Sequence, residues 1–313
     1  MGKTPPDPLY TIKSNMASIH SILLRIADNK ELIYASTENG KVHIWNLKTC
    51  REINIINIGS QPCLSVNYFN SNFITQEKCG NIKIWSEVEN SCWILQVIVP
   101  LTYVGFCKFC LGPDSIICPE ENSAVTIRSL KGDILEKNSF DKTKNNGNIM
   151  FLKYENILSE DFIFILFESG TLKVWKRGSA EVSELKLTDD CPMALDFDGQ
   201  SRGIIGTSGS NLIEFYFIDK AKLSAGKSVP ITNPGVSCVK IRPDKRIFIA
   251  GCWDGRLRFF SMKTLKLLAV LDQHQSCIQD VVFSISPVTS LKCKYLCVAG
   301  GQDKKITLWN LFD

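Results

Sequence analysis

The chain has 313 residues, of which 44% are hydrophobic and 22% are charged, and its formal net charge at pH 7 is +4. This composition suffices for a buried core, and the absence of any long basic run argues against nucleic acid as a partner. No apolar leader follows Met1 and no apolar run reaches 18 residues, so we expect neither secretion nor membrane insertion.

A short polar lead, residues 1–7, is followed by Leu9 to Lys13, whose side chains alternate as in a strand. Next comes Ala35 to Leu47, ASTENGKVHIWNL, which has the pattern of two strands joined by a tight turn. The pattern returns along the whole chain and is therefore an internal repeat. The further copies are Phe73 to Trp85, Leu166 to Trp175, Ala250 to Met262 and Ala299 to Leu311, with weaker ones at Pro119 to Leu130 and Thr207 to Ile218.

Each copy has one residue at the position of the tryptophan, which we call its anchor. The seven anchors are Trp45, Trp85, Arg128, Trp175, Tyr216, Phe260 and Trp309. A period near 40 to 45 residues built from short strands is the signature of a β-propeller with one four-stranded blade per repeat. Seven anchors predict an all-β, seven-bladed propeller that forms a single domain over residues 1–313. Their regular spacing predicts packing between blades rather than binding of a partner.

The repeats resemble WD40 repeats. The residue six positions before the anchor is aspartate in the strongest repeats of that family, and here only Asp254 and Asp303 keep it. His274, which follows Gln273, resembles the structural histidine of the family. The resemblance implies a hydrogen-bond network from this histidine to an aspartate, and it implies that most blades of this chain lack the network.

The last repeat is too short to contain a fourth strand, because only four residues follow Trp309. We expect the strand at Leu9 to Lys13 to complete the last blade, which would close the ring and remove an open edge. Residues 138–148 are polar and contain glycine, so they are predicted to form a flexible loop, as is the lead over residues 1–7. An insertion at Ser286 to Lys294 in the seventh repeat is predicted to be a surface loop.

Longer stretches, above all TNPGVSCVKIRPDKRIFIAGCWDGRLRFF from Thr232, resemble the G-protein β-subunit-like and ASTRA-associated WD-repeat proteins. This resemblance implies a non-enzymatic interaction scaffold in the cytoplasm and nucleus. It would be an adaptor of the triple-T co-chaperone machinery that matures PI3-kinase-related kinases, tied in fungi to the ASTRA chromatin assembly. Its partners would be co-chaperone subunits and kinase clients. The alternative is a reader of modified peptides or histone tails in a chromatin complex.

A G-protein γ subunit is not an expected partner. That role needs an N-terminal coiled-coil helix, and only about a dozen residues precede the first repeat.

No catalytic or metal-binding pattern stands out in the sequence. A zinc site needs four converging ligands, and the close pairs Cys107/Cys110 and Cys293/Cys297 have no matching second pair. The three histidines accompany no nucleophile motif. We therefore predict no enzymatic activity, no metal and no cofactor. Six cysteines in apparent strands are instead predicted to be buried as small apolar residues: Cys63, Cys107, Cys118, Cys238, Cys252 and Cys297.

A protein-binding surface is predicted in the sixth repeat. It comprises Thr232, Asn233, Pro234 and Gly235 in a loop and Trp253, Asp254 and Arg256 in a turn. The WD40 resemblance implies that these two segments open on the same face. Proline would stiffen the loop, glycine would permit unusual backbone angles, and Trp253 would be the exposed apolar contact. The alternative is that proline and glycine only shape a turn while Trp253 packs locally.

Overall fold

The computed structural model describes residues 5–27, 30–88, 92–103, 105–140, 146–220 and 222–312. Over these ranges the chain forms 28 strands and no helix, and so contains no helix that could cross a membrane. The strands are arranged as seven four-stranded antiparallel sheets. The predicted all-β fold, a seven-bladed β-propeller, is confirmed.

The first four blades use consecutive strands. Blade one has β2 (Ile19–Ala27), β3 (Lys30–Thr37), β4 (Lys41–Asn46) and β5 (Arg51–Asn57). Blade two has β6 (Cys63–Phe69), β7 (Asn72–Glu77), β8 (Ile82–Val88) and β9 (Cys92–Val99). Blade three has β10 (Cys110–Leu111), β11 (Ile116–Glu120), β12 (Ala124–Arg128) and β13 (Ile134–Ser139). Blade four has β14 (Ile149–Ile157), β15 (Glu160–Phe167), β16 (Thr171–Lys176) and β17 (Val182–Lys186).

The last three blades follow the same plan. Blade five has β18 (Pro192–Phe197), β19 (Arg202–Thr207), β20 (Asn211–Ile218) and β21 (Lys222–Pro230). Blade six has β22 (Val236–Ile241), β23 (Ile247–Cys252), β24 (Leu257–Ser261) and β25 (Leu267–Leu271). Blade seven has β26 (Ile278–Phe283), β27 (Cys297–Gly301) and β28 (Lys305–Trp309), with β1 (Tyr10–Lys13) as its outer strand.

The strand β1 closes the seventh blade as predicted. It runs antiparallel to β28, with Tyr10 opposite Leu308 and Lys13 opposite Lys305. Its Ile12 is only 2% exposed and lies in one buried cluster with Ile306. The early strand therefore pairs with the hydrogen-bonding edge of β28 and adds Ile12 to the core beside Ile306.

The chain packs as two compact units. The first comprises Met1–Glu77, Trp85–Ile94 and Ser237–Asp313, and the second comprises Lys78–Ile84 and Leu95–Val236. Within each unit the core lies between successive blades. Trp45 shares a buried cluster with residues of blade seven in the first unit, and Trp175 shares one with residues of blade three in the second. The single domain over residues 1–313 stays a prediction.

The anchors lie on the third strand of their blades, but the anchor of blade five is Phe215 and not Tyr216. In blade four, Trp175 lies three residues after Leu172, which is the first paired residue beyond the turn. Leu212 holds that place in blade five, so the equivalent of the tryptophan is Phe215. Phe215 is fully buried in the cluster between blades four and five, whereas Tyr216 is only half-buried. The correction arises because three aromatic residues follow one another and each could fit the pattern.

The first residues of the predicted flexible loop over residues 138–148 are part of the folded structure. Asn138 and Ser139 belong to β13, and Phe140 is 5% exposed, with its ring centroid 5.8 Å from that of Phe167. Residues 141–145 of the predicted loop, and residues 1–4 of the predicted lead, lie outside the described residues. Phe140, which directly follows β13, is therefore buried in the core against Phe167 of blade four.

The insertion in blade seven is only partly a surface loop. Val288 and Cys293 pair through their backbones and are buried at 0% and 2% exposure. The carboxylate of Glu31 from β3 accepts hydrogen bonds from the backbone N–H of Thr289 at 2.7 Å and from its hydroxyl at 2.6 Å. The insertion is therefore held to blade one by a defined polar contact.

Candidate functional site

The turn between β23 and β24 presents a large apolar side chain to solvent. Trp253 is 44% exposed, although most of the anchor tryptophans in the third strands are almost completely buried. Arg256, three residues later, is also exposed. The turn therefore exposes an indole and a guanidinium group, and their contact with a partner stays a prediction.

Asp254, between these two residues, is hydrogen-bonded to residues of its own blade. Its carboxylate accepts hydrogen bonds from the two terminal nitrogens of Arg258 at 3.0 and 2.7 Å, and from the backbone N–H of Arg256 at 3.1 Å. Burial alone would lower the pKa of Arg258, but the hydrogen bonds to Asp254 raise it above its ordinary value. Asp254 therefore fixes the turn and neutralises a buried arginine.

The loop between β21 and β22 carries the other predicted residues. Thr232, Asn233 and Pro234 are exposed, whereas Gly235 is buried. Gly235 has a φ of +93°, and its N–H donates to the carbonyl oxygen of Gly209 at 2.9 Å. A side chain would be strained at this backbone angle, so the glycine sets the loop conformation as predicted.

The predicted surface combines residues from both compact units. Thr232 to Gly235 belong to the second unit, and Trp253, Asp254 and Arg256 belong to the first. Each segment exposes side chains by itself. A single binding face made from the two stays a prediction.

Blade seven contains the polar network that the WD40 resemblance implied. Trp309 donates its indole N–H to the hydroxyl oxygen of Thr307 at 2.9 Å, and that hydroxyl lies 2.9 Å from Nε2 of His274. Nδ1 of His274 lies 2.9 Å from the carboxylate of Asp303. Since tryptophan can only donate and carboxylate can only accept, Trp309 donates to Thr307 and Nδ1 of His274 donates to Asp303, and the contact between Thr307 and His274 joins these two hydrogen bonds.

Blade three replaces this network with an ion pair. Arg128, its anchor, donates to the carboxylate of Glu120 at 2.6 Å, and that carboxylate also accepts from Thr102 at 2.7 Å and Thr126 at 2.9 Å. Burial would raise the pKa of Glu120, but these hydrogen bonds lower it below its ordinary value. An arginine at an anchor position was visible in the sequence as an exception to the pattern. Its pairing with Glu120, eight residues earlier, was not predicted.

The six cysteines predicted to be buried are all buried: Cys63, Cys107, Cys118, Cys238, Cys252 and Cys297. Burial raises the pKa of Cys63 to about 12 and that of Cys252 to about 11, so both thiols stay protonated at neutral pH. Among the residues that the structure describes, no group of three or more His, Cys, Asp or Glu side chains is arranged to hold a metal ion. These thiols pack as small apolar groups.

Two stretches of the chain match the family model described as WD domain, G-beta repeat. They are residues 228–261 and 265–310, which include blade six and the strands β26, β27 and β28 of blade seven. The fold is a seven-bladed β-propeller, and two stretches of it match WD40 repeats.

The chain is also similar over nearly all of its length to two named proteins. It is 26% identical to guanine nucleotide-binding protein subunit beta-like protein 1 of Mus musculus, over 98% of this chain and 97% of that protein. It is 23% identical to ASTRA-associated protein 1 of Schizosaccharomyces pombe, over 98% of this chain and 99% of that protein. A shorter match to ASTRA-associated protein 1 of Schizosaccharomyces japonicus is 31% identical over 28% of this chain and 22% of that protein.

These similarities confirm the resemblance read from the sequence. The propeller, its WD40 repeats and the names of the relatives support a protein-interaction adaptor and point to a scaffold without enzymatic activity.

Proposed function

We propose that this chain is a non-enzymatic adaptor of the triple-T co-chaperone machinery that matures PI3-kinase-related kinases, linked to an ASTRA-type assembly. The observation that carries the proposal is the similarity to an ASTRA-associated protein along 98% of the chain. A match that spans all seven blades supports a shared assembly role better than a match to one repeat would, because WD40 repeats occur in proteins of many functions.

The chemistry of the exposed segments agrees with binding to proteins. Trp253 is the type of residue that contributes most to protein interfaces, since an indole ring buries a large area with few rotatable bonds. The loop before β22 is preset by Gly235, so little conformational freedom would be lost on binding. Co-chaperone subunits and kinase clients are the proposed partners, in the cytoplasm and the nucleus.

Affinity capture from cells tests this proposal. A tagged form of the chain should retain the triple-T subunits and PI3-kinase-related kinases, identified by mass spectrometry. Replacing Trp253 and Asn233 by alanine should reduce this capture at least several-fold, because the first change removes an exposed contact and the second shortens a loop side chain. The matched control is Leu158→Ala, which changes a loop residue that is 79% exposed in another blade.

The outcomes separate three conclusions. Loss of capture by the double variant, with a melting temperature within a few degrees of the unchanged protein, supports both the adaptor role and the surface. Unchanged capture by that variant rejects the surface and keeps the role. Capture of histones without any co-chaperone subunit rejects the proposed role and favours a reader of histone tails.

A further inference from the structure

One end of blades six and seven carries exposed basic residues. The turns that join the first to the second strand and the third to the fourth lie at the same end of an antiparallel blade. In blade six the backbone N–H of Met262 donates to the carbonyl oxygen of Arg246 at 2.8 Å, which joins these two turns directly. We call this surface the basic end, and its exposed members are Lys245, Arg246, Lys263, Lys266, Lys292 and Lys294.

The two blades are joined at this end by a shared aromatic ring. The guanidinium carbon of Arg242, in the first turn of blade six, lies 5.0 Å from the ring centroid of Tyr295 in blade seven. Nζ of Lys294 lies 5.1 Å from the same centroid. The lysines of the two blades are therefore parts of one surface.

The acidic side chains near this surface, Asp244 and Glu31, are hydrogen-bonded to other residues of the protein. Asp244 accepts hydrogen bonds from Nε and a terminal nitrogen of the buried Arg242, at 3.0 and 2.8 Å. Glu31 is 6% exposed and is bound to the insertion at Thr289. Burial would raise the pKa of each carboxyl group, but its hydrogen bonds lower it, so both stay ionised and turned inward.

Four of the outward lysines lack such compensation. Within the described chain, Lys245, Lys263, Lys266 and Lys292 form no ion pair, and all are exposed. A protein of net charge +4 thus concentrates uncompensated positive charge at this end. Charge of this kind attracts an anionic partner and speeds its association.

Exposed aliphatic residues next to the lysines favour a partner that carries apolar as well as acidic groups. Leu267 and Leu268, which follow Lys266 directly, are 51% and 43% exposed at the start of β25. This strand is the outermost of blade six, so one of its edges is unpaired within the sheet. We propose that the basic end of blades six and seven binds an acidic polypeptide segment containing aliphatic residues, laid along the free edge of β25.

An extended peptide fits this surface better than nucleic acid or a membrane does. The two exposed leucines lie on the strand with the free edge, and a polypeptide can pair its backbone with that edge whereas a lipid surface cannot. Single-stranded nucleic acid binds through exposed aromatic rings, and the ring of Tyr295 is already occupied by Arg242 and Lys294. The inference is independent of the proposed co-chaperone role.

Fluorescence anisotropy with the purified full chain tests the inference. The probe is a labelled peptide of about twelve residues composed of Glu, Asp and Leu, and the matched peptide has Gln and Asn in place of the acids. The acidic peptide should bind and the neutral one should not, and raising the salt from 50 to 200 mM should weaken binding because exposed charges are screened. An acidic peptide that binds no better than the neutral one would overturn the proposal.

Charge-reversal variants locate the site. Lys263→Glu combined with Lys266→Glu should weaken peptide binding about tenfold or more, and Lys292→Glu alone should weaken it about threefold. The matched control is Lys222→Glu combined with Lys227→Glu, two exposed lysines of the outer strand of blade five, which should leave binding unchanged. Circular dichroism melts of all variants verify folding.

The remaining outcomes are equally decisive. Equal loss of binding in both double variants would mean attraction by net charge only and would overturn the proposed site. The labelled peptide can also be challenged with oligothymidylate of about twelve nucleotides or with vesicles containing phosphatidylserine. If either competitor displaces it at a concentration at which an unlabelled acidic peptide does not, the surface binds that competitor's class of ligand and the polypeptide proposal is overturned. Loss of peptide binding in the double variant Leu267→Gln with Leu268→Gln would support a contribution of these leucines to binding. Unchanged binding would show that they contribute nothing and would overturn the aliphatic part of the proposal.

Discussion

Phe215 and Tyr216 are adjacent on β20, yet they face different surroundings. Phe215 packs in a buried cluster with Phe164 and Phe197, whose centroids lie 6.2 and 6.0 Å from its own. The hydroxyl of Tyr216 instead donates to the carboxylate of Glu214 at 2.9 Å. The alternation of side chains along a strand produces this division, since neighbouring residues point to opposite faces.

We predict a large difference between the alanine variants of these two residues. Phe215→Ala should lower the free energy of unfolding by about 3 to 5 kcal/mol, because it leaves a cavity between blades four and five. Tyr216→Ala should cost about 1 to 2 kcal/mol, since it removes a half-buried ring and one hydrogen bond. Urea unfolding of both variants measures the difference, and a larger loss in Tyr216→Ala would contradict the assigned anchor.

Asp303 is the acidic end of the network in blade seven. Burial would raise the pKa of this carboxyl group, but its hydrogen bond with His274 lowers it below the ordinary value of 3.8. The folded state therefore binds this proton less tightly than the unfolded state. The stability that Asp303 contributes is present above pH 3.8 and is lost as the pH falls through the lower pKa of the folded state.

The expected consequence is a pH-dependent cost of Asp303→Asn. At pH 7 this variant should unfold about 1 to 3 kcal/mol more easily than the unchanged protein, because a charged hydrogen-bond acceptor is lost. The difference should shrink as the pH is lowered below about 4, where the native carboxylate also becomes protonated. Urea unfolding at several pH values measures it, with the exposed Asp272→Asn as control. A cost that stays constant down to pH 2.5 would argue against the network.

Among the elements, β1 has the most unusual position, because it is far in sequence from its three sheet partners. Four residues of β1 pair with β28, and the N–H of Leu9 adds a hydrogen bond to the carbonyl oxygen of Leu308 at 2.8 Å. Without this strand, β28 would present unpaired backbone groups along one edge. Such an edge promotes association between chains.

Removal of residues 1–14 should therefore lower the melting temperature and cause concentration-dependent aggregation. The matched control is removal of residues 1–7 alone, which keeps Tyr10–Lys13 and Leu9 and should behave as the unchanged protein. Thermal melts and light scattering compare the two truncations. Equal stability and solubility of the two would show that β1 contributes little to closing blade seven.

At the scale of the whole molecule, the sequence predicted the architecture well. The repeat of turns and third strands gave seven blades, and the shortness of the last repeat gave its completion by β1. These features are local in sequence or follow from counting strands, so they do not require knowledge of distant contacts. The anchor of blade five was misplaced by one residue, because composition alone does not fix strand register.

Features that depend on contacts between distant residues were missed. The hydrogen bond between Glu31 and Thr289 joins residues 258 positions apart, and no local sequence pattern predicts it. The basic end likewise arises only when Lys263 and Lys292, on different blades, are brought to one side. Of the predicted binding residues, Trp253 was found exposed, whereas the carboxylate of Asp254 proved to be engaged by Arg258.

The completion of blade seven by β1 also sets an order of events during synthesis on the ribosome. About 290 residues separate Tyr10–Lys13 from their partner strand, Lys305–Trp309, so the early strand is synthesised long before the strand with which it pairs. At about 5 to 20 residues per second, the early strand waits about 15 to 60 s for its partner. During this interval the six other blades can form, while β1 must stay unpaired and free of competing edges. The nascent chain is thus exposed to mispairing until Lys305–Trp309 have been made, and any factor that shields Tyr10–Lys13 until then would raise the yield of folded protein.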